Sequence, residues 1–313
     1  MGRKFSPRSV LVLLRARQWV KNVFVFAPLV FAGRFGDPQS VMQAAGAFVG
    51  FCFLSSASYV INDIADAEED RQHPQKKSRP IASGLVTKTQ GALVAGLFLV
   101  LGAAVCVLVN VGVLVLGLSY FGVNLLYTFW LRRDMLLDVM CIAFGFLLRT
   151  VAGGVAVGVP VSLWLMACTF ALCMFLGFGK RWAEVAQVEG GNREGPYRIT
   201  LARYNLALLS QLLSVSAGVA IVTYILYTVD PQTVEKLGSP YLFFSVPLVI
   251  YCIFRYVMLV EAGKASDPTE TVTRDWPFIA VVFLWSVYVM IIVRWGRDMQ
   301  GFLDKTVGPL LQK

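Results

Sequence analysis

A single histidine, His73, stands in the 313 residues, and Asp, Glu, Lys and Arg together make up only 15% of them. One imidazole cannot build a multi-histidine zinc centre, and it argues against a Ser-His-Asp hydrolase. The six cysteines, Cys52, Cys106, Cys141, Cys168, Cys173 and Cys252, include no Cys-x-x-Cys pair and no histidine neighbour. They are read as small apolar core residues rather than redox or metal-binding groups. Linkers are missing too. No Pro/Gly/Ser-rich or low-complexity tract divides the chain, and its longest polar stretches, 63–88 and 180–204, are about 25 residues each. A soluble domain has nowhere to fit, so residues 1–313 are expected to form one membrane domain. The apolar stretch 10–14 is short, runs into Arg15 and Arg17 and lacks a small-residue cleavage site, so no signal peptide is expected.

What the chain has in abundance is apolar sequence, 57% of its residues, with a mean hydropathy of +0.66. A helix rising ~1.5 Å per residue needs roughly 20 apolar residues to cross ~30 Å of hydrocarbon. Runs of that kind lie at 44–62, 89–109, 111–131, 136–157, 161–179, 205–229, 240–260 and 277–295, and a weaker ninth at 20–33 needs its flanks to span. The expected fold is an all-α integral membrane protein, a bundle of about nine transmembrane helices.

The formal charge of +9 would point to nucleic acid in a soluble protein, but here position matters more than sum. Arg3, Lys4, Arg8, Arg15, Arg17 and Lys21 precede the first spans, and Arg71, Lys76, Lys77, Arg79 and Lys88 follow 44–62. Arg132 and Arg133, then Lys180, Arg181, Arg193, Arg198 and Arg203, then Arg255, Lys264 and Arg274 fill alternate loops, whereas the loops between carry only Arg34 and Lys236. The positive-inside rule therefore puts the N-terminus and the charged loops in the cytoplasm, with the cytoplasmic membrane as the expected location and the bilayer, not nucleic acid, as the partner. Nine spans put the C-terminus outside, a side that Arg294, Arg297, Lys305 and Lys313 fit poorly. No helix interface is legible, which leaves a homo-oligomer open.

Four clusters could carry chemistry. The first is Asn62-Asp63-x-x-Asp66-x-x-x-Asp70. At ~100° per residue these four oxygen-bearing side chains fall within an arc of about 100° if one helix runs through them. Hard oxygen donors in that number suit Mg²⁺ bridged to a substrate phosphate, while the plain alternative is a solvated acidic helix end paired with nearby cations. The second follows at once: Arg71, His73, Lys76, Lys77 and Arg79, in a loop stiffened by Pro74, Pro80 and Gly84. Such donors could hold phosphate oxygens, or simply reflect positive-inside charge. The third runs from Tyr127 through Arg132, Asp134 and Asp138 towards Arg149, eleven residues past Asp138 on nearly the same face and well inside a span. An intramembrane arginine needs a partner or a cavity, and a structural ion pair competes with a functional role. The fourth is Gly179-Lys180-Arg181-Trp182-Ala-Glu184, where Lys180 and Glu184 are spaced to pair with each other or to serve a phosphate.

These residues carry a resemblance running nearly end to end: the chain resembles the UbiA superfamily of intramembrane prenyltransferases. Its most specific element is the Asn62-Asp63-x-x-Asp66-x-x-x-Asp70 motif followed by Arg79-Pro80-Ile81 and Ser83-Gly84, and Tyr127 to Arg132 is similar to the family's second basic motif. The resemblance implies nine transmembrane helices around a lipid-facing cavity capped on the cytoplasmic side, with Mg²⁺ held by Asp-rich motifs. Arg17-Gln18-Trp19-Val20-Lys21-Asn22, His73-Pro74-x-Lys76-x-x-Arg79-Pro80 and Gly179-Lys180-Arg181 resemble the decaprenyl-phosphate phosphoribosyltransferase branch. That branch moves 5-phosphoribose from phosphoribosyl diphosphate to a polyprenyl phosphate and releases diphosphate. Where aromatic prenyltransferases carry a second Asp-rich motif, this chain has Glu184, Glu189 and Glu194 among many cations.

The expected reaction is displacement at the anomeric carbon, with Mg²⁺ on Asn62, Asp63, Asp66 and Asp70 and with Lys76, Arg79, Lys180 and Arg181 holding phosphate oxygens. Asp134, Asp138 and Arg149 are expected to line the cavity, the first two as candidates for metal or ribose binding. The acceptor is already an oxyanion, so no strong base is needed. Two rivals remain at this point: an aromatic prenyltransferase of the same superfamily using a polyprenyl diphosphate, and a transporter or lipid flippase, which would spread polar residues through both leaflets.

Overall fold

The computed structural model describes residues 11–73, 76–189, 204–263 and 274–306. Its regular structure is helical throughout. Among the described residues eight helices are long and apolar enough to cross a membrane: α1 Pro38–Ala65, α2 Lys88–Val109, α3 Val111–Phe129, α4 Met135–Ala156, α5 Leu163–Glu189, α6 Leu206–Val229, α7 Val246–Glu261, which a 3₁₀ turn Tyr241–Ser245 leads into, and α8 Trp276–Thr306. This is a multi-pass membrane protein. Leu93, Leu108 and Phe283 stand exposed on α2 and α8, a surface that lipid solvates and water would not.

Polar residues set the helix starts. Asp37 accepts from the amides of Gln39 and Ser40, with Pro38 at the first helical position, so α1 opens six residues before the expected 44. Thr87 and Gln90 form a reciprocal capping box on α2, and Asn110 caps α3. Helix α5 continues past its expected end at 179 because Lys180, Arg181, Ala183 and Glu184 are good helix formers. The fourth cluster therefore rides on a helix, not a loop.

The helices follow one another around a ring. Helix α1 packs on α2, α3 and α4, α4 packs on α5, α5 on α6, and α7 on both α6 and α8. Small residues let the backbones close in: a Cβ at Gly50 would stand 2.5 Å from Cys106 Sγ, and one at Gly117 would stand 2.7 Å from Leu54.

The stretch expected as a ninth, weaker span is different in kind. It starts earlier, as a 3₁₀ helix Ala16–Phe26 continued by a short α-helix Ala27–Phe31. At ~2.0 Å per 3₁₀ residue these few residues reach roughly 30 Å, further than the same number in an α-helix. The segment runs the depth of the bundle: Arg15 at its head meets Asp63 at the end of α1, and Arg34 beyond its tail donates to Val157 O past the end of α4. Its tail also packs against α8.

Side chains stitch this segment in place. Trp19 Nε1 donates to Ser56 Oγ at 3.0 Å, Ser56 Oγ donates to Leu14 O at 2.9 Å, and the buried Asn22 donates to Cys52 Sγ and Ser55 Oγ. Gly153 of α4 lies so close that a Cβ there would collide with the carbonyl of Val25. Replacing Gly153 by Ala is therefore expected to cost about 1–3 kcal/mol through overpacking against a backbone that cannot step aside. Thermal unfolding in detergent checks this, with Gly218→Ala, where an added Cβ meets nothing, as the unchanged control.

Candidate active site

Helix α1 ends in the acidic motif, and the helix does not pass through it unbroken. Asp66 leaves helical geometry at φ −89°, ψ 0°, and a short helix Ala67–Gln72 resumes after it. The i to i−4 bonds run through the kink all the same, from Asp66 N–H to Asn62 O at 2.9 Å and from Asp70 N–H to Asp66 O at 2.8 Å. The four side chains separate into two pairs. Asn62 Nδ2 donates to Asp66 Oδ2 at 3.1 Å, and Arg132, from the turn before α4, reaches Asp66 at 2.5 Å. Asp63 and Asp70 share Arg79, at 3.1 and 2.6 Å, and Asp63 also meets Arg15. All three aspartates are buried, so each carboxylate has its arginine.

The loop that brings Arg79 in is anchored by apolar residues. Ile81 and Val86 bury against Leu13, Leu14 and Val60, and Gly84 turns the chain at φ +76°, a conformation few other residues adopt. Outside the buried acids, Glu68 accepts from Arg71 at 2.7 Å and Lys88 at 3.2 Å, and the Lys88 hydrogen bond and the Arg71 charge hold its exposed carboxyl below the usual range.

Beside the acids a cavity opens, about 980 Å³ counting its mouth, between the N-terminal segment and α1, α3, α4 and α5. Among the described residues Arg15, Lys21, Arg149 and Lys180 line it, together with Asn62, and no carboxylate does. Arg15 holds its place at a cost, as the one described non-glycine residue with positive φ, and its guanidinium lies 5.2 Å from the Tyr59 ring centre.

Arg149 sits deepest. It is buried, and it donates to Asn22 Oδ1 at 2.6 Å, Tyr120 Oη at 2.7 Å and Gly145 O at 2.8 Å, with the Tyr120 ring 4.3 Å away. All of these partners are neutral. Among the described residues no carboxylate comes within ion-pair distance of it.

The remaining expected site residues fall elsewhere. Asp138 and Arg181 form a buried ion pair, Nε to Oδ2 at 2.5 Å and Nη2 to Oδ1 at 3.0 Å, and Arg181 also reaches Glu184 at 2.5 Å. Neither Asp138 nor Arg181 lines the cavity, contrary to expectation, because each is spent on the other; Tyr127, which does line it, donates to Asp138 at 2.9 Å. Asp134 is exposed and accepts from the amides of Leu136 and Leu137, which makes it the cap of α4 rather than a cavity residue. His73 and Lys76 lie in the loop outside the cavity, where the Lys76 amide donates to His73 Nδ1 at 3.3 Å. Tyr204 donates to Met135 O, and burial pushes its phenol up to about 12. Glu194, Arg193, Tyr197, Arg198 and Arg203 lie outside the described residues, as does the side chain of Glu189.

Removing one partner of a buried pair strands the other charge. Arg181→Met is therefore expected to destabilise the protein by about 3–5 kcal/mol, and adding Asp138→Leu to recover most of that loss. Thermal unfolding of the single and double variants measures it.

Residues not singled out from the sequence as site candidates also line the cavity: Arg15, Ser58, Tyr59, Tyr120, Asn124 and Thr128. Tyr120, Asn124, Tyr127 and Thr128 stand at i, i+4, i+7 and i+8, a polar stripe on an otherwise apolar helix. That period was the available signal.

Among the described residues no three acidic, His or Cys side chains converge as a metal site. The donors that could hold a divalent cation at the cavity edge are Asn62 and Asp66. Their chemistry suits Mg²⁺, which takes one or two carboxylates and fills its other positions with water and substrate phosphate.

The profile of the UbiA prenyltransferase family matches residues 23–293. A decaprenyl-phosphate phosphoribosyltransferase of Mycolicibacterium smegmatis is 31% identical, over 85% of this chain and 86% of its own length. One of Corynebacterium glutamicum is 32% identical, over 90% and 87%. The fold is similar to that of a UbiA homolog from Archaeoglobus fulgidus solved with GPP and Mg²⁺, at a TM-score of 0.67 and 18% identity over 91% of this chain and 99% of that one. By its sequence profile, its relatives and its fold, this chain belongs to the UbiA prenyltransferase family.

Proposed function

We propose that this protein is a Mg²⁺-dependent transferase that moves 5-phosphoribose from phosphoribosyl diphosphate to a polyprenyl phosphate and releases diphosphate. One observation carries the reading: among the described residues, four cations and no carboxylate line a cavity set within the membrane helices. Such a surface favours a ligand set rich in anionic oxygen. Two phosphorylated substrates supply more of it than the polyprenyl diphosphate and aromatic acceptor of the rival reading. The names of the mycobacterial and corynebacterial relatives support the same choice.

In this account Asn62 and Asp66 hold Mg²⁺, with Asp63 and Asp70 behind them. The metal would neutralise charge on the departing diphosphate. Arg79 and Arg132 pair with these acids and stand next to the phosphate site, while Lys21 and Lys180 take phosphate oxygens from the cavity wall. Arg149, deeper in the membrane, holds the acceptor phosphate through its two-pronged guanidinium. An acceptor phosphate oxygen bonds to the anomeric carbon as the bond from that carbon to the diphosphate oxygen breaks. The nucleophile arrives ionised, so these side chains orient and neutralise without removing a proton. The polyprenyl tail reaches the cavity from the bilayer, and the water-soluble donor enters from the face that carries the charged loops, which we read as cytoplasmic.

The test offers the purified protein each donor class in parallel: phosphoribosyl diphosphate with a polyprenyl phosphate, and a polyprenyl diphosphate with an aromatic acid. Metal-dependent turnover of the first pair alone supports the reading. Turnover of the second alone moves the protein to the aromatic branch.

A further inference from the structure

Tyr120 lines the cavity from α3 beside Arg149, its ring packed on Phe51 and only 2% of the residue exposed. Its hydroxyl oxygen receives a hydrogen bond from Arg149 Nη2 at 2.7 Å. The direction of that bond is fixed by chemistry. A guanidinium carries five N–H donors and no acceptor, so the phenol oxygen accepts and its own hydrogen is turned elsewhere. Among the described residues no acceptor receives that hydrogen.

Arg149 is not exhausted by its partners either. Nε gives its one hydrogen to Asn22 Oδ1 at 2.6 Å, and of the two each on Nη1 and Nη2, Gly145 O and Tyr120 Oη take one apiece. Two guanidinium N–H groups and one phenol O–H remain, next to each other within the membrane bundle. Buried donors without an acceptor are rare in a folded chain, because each loses the water that would have served it. A phosphate has three terminal oxygens and lone pairs for all three donors. A neutral hydroxyl or ether has one oxygen and fewer.

We infer that Tyr120 is a binding residue for the lipid acceptor: its hydroxyl, turned by Arg149, donates to the phosphate of the polyprenyl phosphate beside the two remaining guanidinium N–H groups. The inference rests on the phosphoribosyl reading above, which gives the acceptor phosphate to Arg149, and it adds a third donor that brings no charge. Arg149 then has two tasks. It attracts the phosphate, and it sets where the phenol hydrogen points. A hydrogen bond to an ionised oxygen is among the stronger kinds, so the phenol holds a share of the affinity separable from that of the cation.

The experiment titrates the full-length protein in detergent by calorimetry with farnesyl phosphate, a short polyprenyl phosphate, and separately with phosphoribosyl diphosphate and Mg²⁺. Tyr120→Phe keeps the ring, its packing on Phe51 and the face it turns to Arg149. It is expected to weaken farnesyl phosphate by at least about tenfold and to leave phosphoribosyl diphosphate within about threefold. Adding Tyr120→Phe to Arg149→Lys, which keeps a cation but has no fork to hold, should still weaken farnesyl phosphate by at least about fivefold. A loss that vanishes in the lysine background makes the phenol a prop for the guanidinium and overturns the inference. So does an equal loss for both ligands, or a wild-type protein that binds phosphoribosyl diphosphate but no farnesyl phosphate. A wild-type protein that binds no phosphoribosyl diphosphate overturns the reading beneath, and this inference with it.

Discussion

Replacing Arg149 by methionine is expected to lower kcat/KM by about 10²–10³-fold while leaving the unfolding temperature unchanged or higher. The two effects have one origin. Arg149 is buried, and its partners Asn22, Tyr120 and Gly145 O are neutral. Desolvating a guanidinium costs several kcal/mol, and neutral hydrogen bonds with a nearby ring offset only part of that. Methionine fills a similar volume without the charge. It leaves Asn22 Oδ1 and Tyr120 Oη short of a donor, a loss of about 1–3 kcal/mol, comparable to the relief. What disappears outright is the cation that the acceptor phosphate needs. Arg149→Lys keeps the charge without the fork and should fall between. Steady-state kinetics and thermal unfolding of both variants check this. A large drop in unfolding temperature for Arg149→Met would make Arg149 structural.

The second large effect concerns the metal. Asp66→Asn should reduce turnover by about 10²–10⁴-fold and move the Mg²⁺ response to much higher concentration, because it removes one of the two donors at the cavity edge and its charge. The change is close to isosteric, and Arg132 stays partly exposed without its partner, so the stability cost should stay near 1 kcal/mol. Asp134→Asn is the contrast. Asp134 caps α4 outside the cavity, and asparagine caps as well as aspartate, so activity should change by less than about twofold. Rate against Mg²⁺ concentration for the two variants separates a metal donor from a helix cap. Equal losses would contradict the assignment.

The spans and the acidic motif were readable because lipid imposes long apolar runs and because carboxylates at the end of one need a reason. What the chain's order of residues did not disclose were partners far apart along it. Asp138 and Arg181 look equally available for substrate in the sequence, and only the packing of α4 on α5 reveals that they meet. Asn62 to Asp70 read as one arc, and nothing in it says that Asn62 pairs with Asp66 while Asp63 and Asp70 share an arginine from the following loop. Arg15 read as one of many positive-inside charges, since nothing local says that a left-handed backbone will turn it onto Asp63 and Tyr59. The N-terminal stretch was too short to span as an α-helix, and 3₁₀ winding supplied the length. Arg149 was found at once, because a charge at that depth has so few explanations.

The central claim is that this cavity joins a phosphoribosyl group to a lipid phosphate, and product stoichiometry tests it most directly. Purified protein is given phosphoribosyl diphosphate labelled at the anomeric carbon, a polyprenyl phosphate and Mg²⁺, and the lipid fraction and released diphosphate are quantified by mass spectrometry. The account predicts a lipid heavier by one labelled phosphoribosyl unit, formed one-for-one with diphosphate and absent when the metal is chelated. An unmodified lipid phosphate, in a preparation that joins a polyprenyl diphosphate to an aromatic acid, would contradict it.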